Sequence, residues 1–250
     1  MVKKGISSST LKLIAVVTML LDHIGAVILE PLMMRGGYVG LVGYDPVLYE
    51  VNLILRMVIG RMAFPIFCFL LVEGFGRTSN VYRYGLRLLL FALVSEVAFD
   101  LALNGVWLES SYQNVMFTLL VGLLVMLVCS KLEHRKWNRL MTIAAEVGVL
   151  ILGMALAELL CTDYGGYGVL CIAVLYFFRR DRKAQLLAGT VAFVAGDILL
   201  HGSTSELLAP LGFIAVAWYD GRRGLKLKYL FYVFYPAHLL VLYFVRMLLM

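Results

Sequence analysis

The stretch that decides the fold is LKLIAVVTMLLDHIGAVILEPLM, residues 11–33. At 1.5 Å of rise per helical residue, this run is long enough to cross the roughly 30 Å hydrocarbon core of a bilayer. It exceeds the apolar part of a signal peptide, carries Asp22 and His23, and shows no small-residue cleavage pattern. We therefore predict a first membrane-spanning helix that is retained in the protein.

The composition extends this prediction to the whole chain. Of 250 residues, 62% are hydrophobic and 15% are charged, and the mean hydropathy is +0.90. Soluble domains carry about 25% charged residues, and one soluble core of this size could not bury so much apolar surface. We predict an all-α, polytopic membrane bundle of about nine transmembrane helices, forming a single integral membrane domain over residues 1–250.

The nine predicted spans follow the apolar runs along the chain. The sixth and eighth are short, which predicts tilted or incomplete crossings. The spans are residues 11–33, 50–75, 83–103, 114–130, 138–160, 164–178, 184–200, 206–219 and 228–249.

The charges of the loops predict the orientation. Every second loop is basic, and the loops between are acidic or poor in charge. Because basic loops stay on the cytoplasmic side, we predict a cytoplasmic N-terminus and an external Met250. The same loops account for the net charge of +6, so we expect no nucleic-acid partner. The glycine-rich loop at 34–49 is a candidate cover for a cavity. The basic loops contain Lys3, Lys4, Arg77, Arg83, Lys131, Arg135, Lys136, Arg139, residues 179–183, Arg222, Arg223, Lys226 and Lys228.

Soluble-enzyme and metal signatures are missing from the sequence. The four cysteines form no CxxC pair, and there is no HExxH, P-loop or GxSxG motif. We expect no metal site.

Ionisable residues inside spans are the functional candidates, because each costs about 3 kcal/mol or more at the bilayer centre. Lys12 and His23 lie eleven residues apart on one helix face, about 16 Å along the axis, with Glu30 two turns further. They form either a polar line from the cytoplasm to mid-membrane, or a snorkelling lysine and a buried, satisfied histidine. Asp22 points about 100° away and could pair with Arg56 or Arg61.

The second and third spans add arginines and carboxylates. Arg61, near mid-span, requires an anion, either a carboxylate of the protein or a phosphate of a ligand. Arg83 and Arg87 are suited to phosphates or to ordinary inner-surface anchoring. Glu96 and Asp100, four residues apart, are suited to a general base, a cation pathway or pairing with Arg61.

The fourth and ninth spans contribute the last candidates. Asn114 opens the fourth span, and Tyr235 and His238 lie one turn apart around Pro236 in the ninth. His238 is therefore a second candidate for a functional histidine.

Several motifs, taken in order along nearly the whole chain, resemble the TraX family. The motifs are Leu11-Lys12-Leu13-Ile14-Ala15, Leu21-Asp22-His23-Ile24-Gly25, Arg61-Met62-Ala63-Phe64-Pro65-Ile66-Phe67, Leu71-Val72-Glu73-Gly74-Phe75, Ser95-Glu96 with Phe99-Asp100, Gln113-Asn114-Val115-Met116-Phe117-Thr118, Asp163-Tyr164-Gly165 with Tyr167-Gly168, and Phe234-Tyr235-Pro236 with His238-Leu239-Leu240.

This resemblance implies a function. TraX is named for N-terminal acetylation of conjugative pilin, and the family is similar to transmembrane acyltransferases that use cytoplasmic acyl-CoA. Many of those proteins carry a basic residue, ten intervening residues and a histidine in their first span, a spacing that Lys12 and His23 share, with lysine in place of the commoner arginine. The resemblance implies that His23 is catalytic and that acetyl-CoA is the acyl donor.

On this basis we predict a membrane-embedded, acyl-CoA-dependent acetyltransferase of the bacterial inner membrane. It would move an acetyl group from acetyl-CoA to an amine or hydroxyl of a surface or exported acceptor. The expected partners are membrane lipid, acyl-CoA, and a polysaccharide, peptide or small-molecule acceptor, with a homodimer as a possible state. The alternatives are a proton-coupled transporter or flippase using intramembrane Asp, Glu and His, and a non-catalytic scaffold.

The residues fall into three predicted roles, with His23 as general base. The predicted catalytic residues are His23, Asp22, Glu96 and Asp100; the acetyl-CoA-binding residues are Lys12, Arg61, Arg83 and Arg87; the substrate-binding residues are Asn114, Tyr235 and His238.

Overall fold

The computed structural model describes residues 5–35, 46–225 and 228–250, and that part of the chain is helical. It contains no strand, only isolated bridges between Ile6 and Tyr219 and between Gln113 and Thr162. The glycine-rich loop expected to cover a cavity falls mostly on residues 36–45, outside the described residues. The α-helices are α1 Ser8–Ile24, α2 Glu30–Arg35, α3 Pro46–Leu53, α4 Ala63–Arg77, α5 Val81–Leu103, α6 Val115–Glu133, α7 Arg139–Leu159, α8 Gly165–Phe177, α9 Arg182–Gly196, α10 Gly212–Ala217 and α11 Lys228–Leu249.

Each of the nine predicted spans contains helix, although the eighth, residues 206–219, is helical only from Ala209 to Ala217. The all-helical membrane bundle is confirmed for the described residues. Helix α5 is also long, but it carries four charged side chains inside its apolar sequence. The orientation inferred from loop charge stays a prediction. In the described residues, six helical stretches are long and apolar enough to cross a membrane: Ser8–Met33, Pro46–Arg77, Val115–Glu133, Arg139–Leu159, Arg182–Leu200 and Phe231–Leu249.

The first two spans are irregular, which the sequence did not indicate. A π-helical turn, Gly25–Leu29, follows α1, and a second, Ile54–Ile59, follows α3 and leads into a 3₁₀ turn at Gly60–Met62. Pro65 lies in the first turn of α4, directly after this 3₁₀ turn. Because proline has no N–H, it leaves a carbonyl of the preceding turn without its helical donor.

The chain divides into two compact units. The first unit comprises Met1–Phe67, Ser95–Leu108 and Ser205–Met250, and the second comprises Cys68–Val94 and Glu109–Thr204. The expectation of a single domain stays a prediction.

In the first unit, α1 packs against the irregular part of the second span and against α11. Its N-terminus is capped by Ser7, whose hydroxyl accepts a hydrogen bond from the N–H of Thr10 at 3.2 Å. The residues before the cap are held by the chain after α10. The N–H of Ile6 donates to the carbonyl of Trp218 at 2.9 Å, and the N–H of Asp220 donates back to Ile6 at 3.1 Å.

In the second unit, the short helix α8 lies at the centre. At about 20 Å it is too short to cross the hydrocarbon core unaided, and it is apolar on all sides, a pattern typical of a helix surrounded by protein. Helices α6, α7 and α9 pack around it. Its first turn is held by Glu158, which accepts a hydrogen bond from the N–H of Gly166 at 2.7 Å.

A substitution at Gly196 would test the packing of the second unit. An added Cβ there would lie 2.9 Å from the ring of Tyr167, and that ring is fixed because its hydroxyl donates to the carbonyl of Phe193 at 2.9 Å. At Gly148, by contrast, an added Cβ meets nothing within 4 Å. We expect Gly196→Ala to be less stable than the matched control Gly148→Ala by about 1–3 kcal/mol, the usual cost of overpacking. Thermal unfolding in detergent measures this, and equal stabilities would contradict it.

Acidification and a substitution at Asp220 would test how the N-terminal segment is attached to the chain after α10. The side chain of Arg222 donates to Asp220 at 2.8 Å and to the carbonyl of Gly5 at 3.0 Å. The hydrogen bond from Arg222 lowers the pKa of Asp220. A lowered pKa means that this interaction contributes in full at neutral pH and is lost as the pH falls below the ordinary aspartate value of about 4. The protection factor of the Ile6 amide, which is the ratio of its intrinsic to its observed exchange rate at each pH, should therefore fall upon acidification in the wild type.

In Asp220→Asn the protection factor of the Ile6 amide should already be lower than in wild type at neutral pH. It should also change less upon acidification. Exchange that is identical in the two proteins at both pH values would show that the side-chain pair does not hold the segment.

Candidate functional site

Two histidines from the ends of the sequence meet in the first unit. The Nδ1 atom of His23, on α1, lies 2.7 Å from Nε2 of His238, on α11. Their ring centroids are 4.9 Å apart, with an interplanar angle of 25°. The sequence marked each ring as a functional candidate but could not pair them, because they are separated by 215 positions.

Helix α11 supplies the surroundings of the pair. The Nδ1 atom of His238 lies 2.8 Å from the carbonyl oxygen of Phe234, one turn earlier. The ring of Phe234 stacks on His238 at 4.7 Å, and Tyr235 lies 5.8 Å from His238 and 6.2 Å from His23. His238 is buried, at 5% exposure, whereas His23 is only half-buried. Of the two residues, His23 therefore has the larger exposed fraction.

An ion cluster lies on the same part of α1. Arg56, from the π-helical turn of the second span, has its Nε 3.7 Å from Oδ1 of Asp22. The guanidinium also pairs with Glu30, which directly follows the other π-helical turn. The pairing of Asp22 with Arg56, one of two partners that the sequence left open, is therefore found in the structure. Single π-helical turns occur frequently at functional sites.

Two glycines allow this cluster to form. A Cβ on Gly60 would lie 2.5 Å from Cβ of Asp22, and a Cβ on Gly25 would lie 2.6 Å from Cγ of Arg56. Real Cβ atoms do not approach neighbours so closely. Each charged side chain therefore lies over a glycine of the opposite helix, as expected where small residues let membrane helices approach closely.

Arg61 forms an ion pair with a carboxylate of the protein itself. Its Nη1 lies 3.1 Å from Oε1 of Glu206, which is 4% exposed. The sequence left two anions open for Arg61, a carboxylate of the protein or a phosphate of a ligand, and the structure contains the carboxylate. The contact of Arg61 with a ligand phosphate stays a prediction. Sequence reasoning missed Glu206, because it follows a polar loop and appeared only as the start of a predicted span.

Glu96 and Asp100 also belong to the first unit, and both are buried. In the described residues, however, the hydrogen bonds of the two imidazoles are to each other and to the carbonyl of Phe234. Neither imidazole therefore hydrogen-bonds to Asp22, Glu96 or Asp100. The catalytic role predicted for these three carboxylates stays a prediction.

Lys12 lies on the same seam between α1 and α11 as the histidines. Its ammonium is 5.3 Å from the ring centroid of Phe231, and the side chain is half-buried. This placement fits the predicted polar face of α1. Its predicted contact with acetyl-CoA stays a prediction.

Three predicted residues lie in the second unit. Arg83 is exposed at the start of α5, and Arg87 lies over the ring of Tyr84 at 5.8 Å. Asn114 is buried and caps α6, accepting from the N–H of Met116 at 3.0 Å and donating to the carbonyl of Ala92 at 2.9 Å. These bonds give Asn114 a structural role, and its role toward substrate stays a prediction.

Within the described ranges, no cluster of three or more His, Cys, Asp or Glu residues could hold a metal ion.

These features define an all-helical membrane protein with a histidine pair and an ion cluster inside its spans. The family model described as TraX protein matches residues 7–246. The chain belongs to the TraX family, as the motifs indicated.

A curated relative covers almost the whole chain. It is the probable fimbrial assembly protein FimC, serogroup H1, of Dichelobacter nodosus, which is 31% identical over 261 residues, 94% of this chain and 94% of the relative. No solved structure matches the chain.

These comparisons correct the predicted function. The expectation was acetyl transfer from acetyl-CoA to a surface or exported acceptor, with a proton-coupled transporter as the alternative. The relative is named for fimbrial assembly, and neither its name nor the family description mentions an acyltransferase or a transporter. The acetyltransferase prediction came from the wider superfamily, which shares the spacing of Lys12 and His23, and two residues at one spacing are too few to identify a reaction.

Arg56 tests the ion cluster. Arg56→Met leaves the carboxylates of Asp22 and Glu30 without their common guanidinium. Removing one partner of a buried ion pair costs about 3–5 kcal/mol, because the remaining charge is uncompensated. We expect a loss of about 3 kcal/mol in the free energy of unfolding, measured by denaturation in mixed micelles.

Two further variants complete this test. Arg56→Lys keeps the positive charge and should lose clearly less stability than Arg56→Met. The matched control, Arg83→Met, removes an exposed arginine and should stay within about 0.5 kcal/mol of wild type. If Arg56→Met were as stable as this control, the cluster would not contribute to stability.

Proposed function

We propose that this chain is an integral membrane component of bacterial fimbrial assembly, located in the cytoplasmic membrane, with the pair of His23 and His238 as its working site. The observation that carries the proposal is the 2.7 Å contact between two imidazoles inside the spans. It occurs in a chain that is similar over 94% of its length to a protein named for fimbrial assembly.

The chemistry of the pair supports an active role. Ionisable side chains inside membrane spans are costly and usually functional. Imidazole accepts and releases protons near neutral pH, and it is the commonest general base of enzymes. We propose that the chain is an enzyme in which His23 takes a proton from a reacting N–H or O–H group during covalent modification of an assembly component.

The proposed partner is a fimbrial subunit, a peptide that would reach the site from the membrane. The half-buried ring of His23 would be the side of the pair that it meets. The carboxylates of Asp22 and Glu30 share the single guanidinium of Arg56. Their excess negative charge would favour a cationic group on that peptide.

The first test is the number of fimbriae on the cell surface. A fimbriated strain lacking this gene is complemented with wild type, His23→Ala, or the matched control His134→Ala, whose ring is exposed. We expect His23→Ala to reduce the sheared fimbrial fraction about tenfold or more, in line with the loss of a general base. His134→Ala should restore fimbriae fully. Unchanged fimbriae upon deletion of the gene would refute the role in assembly.

The intact mass of the fimbrial subunit separates enzyme from scaffold. An enzyme that modifies the subunit predicts a mass difference between cells with wild type and cells with His23→Ala. Lost fimbriae with an unchanged subunit mass would keep the role in assembly and refute modification of the subunit. Membrane levels of each variant, measured by immunoblot, must equal those of wild type.

A further inference from the structure

The hydrogen bonds around the histidine pair determine which nitrogen atoms carry protons. A backbone carbonyl oxygen can only accept a hydrogen bond. Because Nδ1 of His238 lies 2.8 Å from the carbonyl oxygen of Phe234, this nitrogen carries a hydrogen and donates it. A neutral His238 then has its lone pair on Nε2.

The same reasoning extends to the second ring. Nε2 of His238 faces Nδ1 of His23 at 2.7 Å. Since the former offers a lone pair, the latter must carry the hydrogen and donate it. A neutral His23 is therefore protonated at Nδ1, and its remaining lone pair lies on Nε2, to which no described residue hydrogen-bonds.

We infer that His238 is a positioning residue that selects the tautomer of His23, and that Nε2 of His23 is the atom that accepts the proton. This inference rests on the proposed function of the pair. It assigns His238 a role different from the substrate binding expected from its sequence position.

The proton balance of the step follows from this arrangement. A substrate N–H or O–H bond breaks as its electron pair forms a bond to the electrophilic atom of a group donor. The proton moves to Nε2 of His23, and the donor's leaving group departs with the electron pair of the bond that breaks. The resulting imidazolium keeps its Nδ1–H bond to His238, and His238 keeps its bond to Phe234. In many hydrolases a carboxylate holds the base in the same way through its Nδ1–H. Here a second imidazole, itself held by a carbonyl, takes that position.

Two variants of His238 separate positioning from packing. In His238→Gln the side-chain carbonyl can still accept from Nδ1 of His23, whereas His238→Leu fills the space without an acceptor. Nitrogen-15 NMR of histidine-labelled protein in lipid distinguishes protonated from unprotonated ring nitrogens. Signals are assigned to His23, His134 and His201 by single substitutions.

In wild type we expect His23 to be protonated at Nδ1 and unprotonated at Nε2. His238→Gln should keep this tautomer and at least half of the surface fimbriae. His238→Leu should shift His23 toward the Nε2–H form and reduce fimbriae about tenfold. A wild-type His23 protonated at Nε2 overturns the inference, even if His238→Leu fails to fold. So does an unchanged tautomer in a folded His238→Leu, or a His238→Gln variant as inactive as His238→Leu.

The two measurements also separate this inference from the proposed function. The NMR result concerns the protein alone and does not require fimbriae. If deletion of the gene leaves fimbriae unchanged, the proposed function fails while the tautomer assignment can still hold. If fimbriae depend on His23 but its tautomer does not depend on His238, only the positioning role fails.

Discussion

The close contact between α1 and the irregular part of the second span underlies the first unit. Asp22 lies over Gly60, and Arg56 lies over Gly25. In hydrocarbon neither charge can be satisfied by water, so each must find its partner within the protein. The pair can form only where the two backbones approach closely, and the glycines provide that approach. The position of His23, next to Asp22 in the chain, follows from this contact.

The π-helical turns of the first two spans belong to the same arrangement; a third, Asp197–His201, lies in the seventh span. One extra residue in a helical turn rotates the side chains that follow it relative to a regular α-helix. Glu30 follows the first such turn and Arg56 lies within the second, and these two residues pair. The π-helical turns of the first two spans therefore lie at the ion cluster and help to set the direction of its side chains.

Much of the fold was predictable because lipid imposes a simple pattern. Every span had to be an apolar run of helical length. Each of the nine predicted segments contains helix, and six described stretches are long and apolar enough to cross a membrane. The histidines and buried charges were also recognisable, because ionisable residues stand out against an apolar background. The partner of Arg61 was not recognisable. Glu206 lies at the edge of an apolar run, and its sequence neighbours give no sign that it turns inward toward a residue 145 positions earlier. Asn114 shows that the same signal has a structural source as well. A polar residue at the start of a span looked functional, and the structure shows that it caps a helix, while its role toward substrate stays a prediction.

The sequence by itself determined that this is a helical membrane protein of the TraX family with ionisable groups inside its spans. Hydropathy and helical period are local properties, and a single chain displays them fully. Only the tertiary structure decided that His23 contacts His238, and that Arg56 pairs with two carboxylates. Such contacts depend on how helices from distant parts of the chain pack. The sequence of one helix does not show which side chains of another helix it will contact.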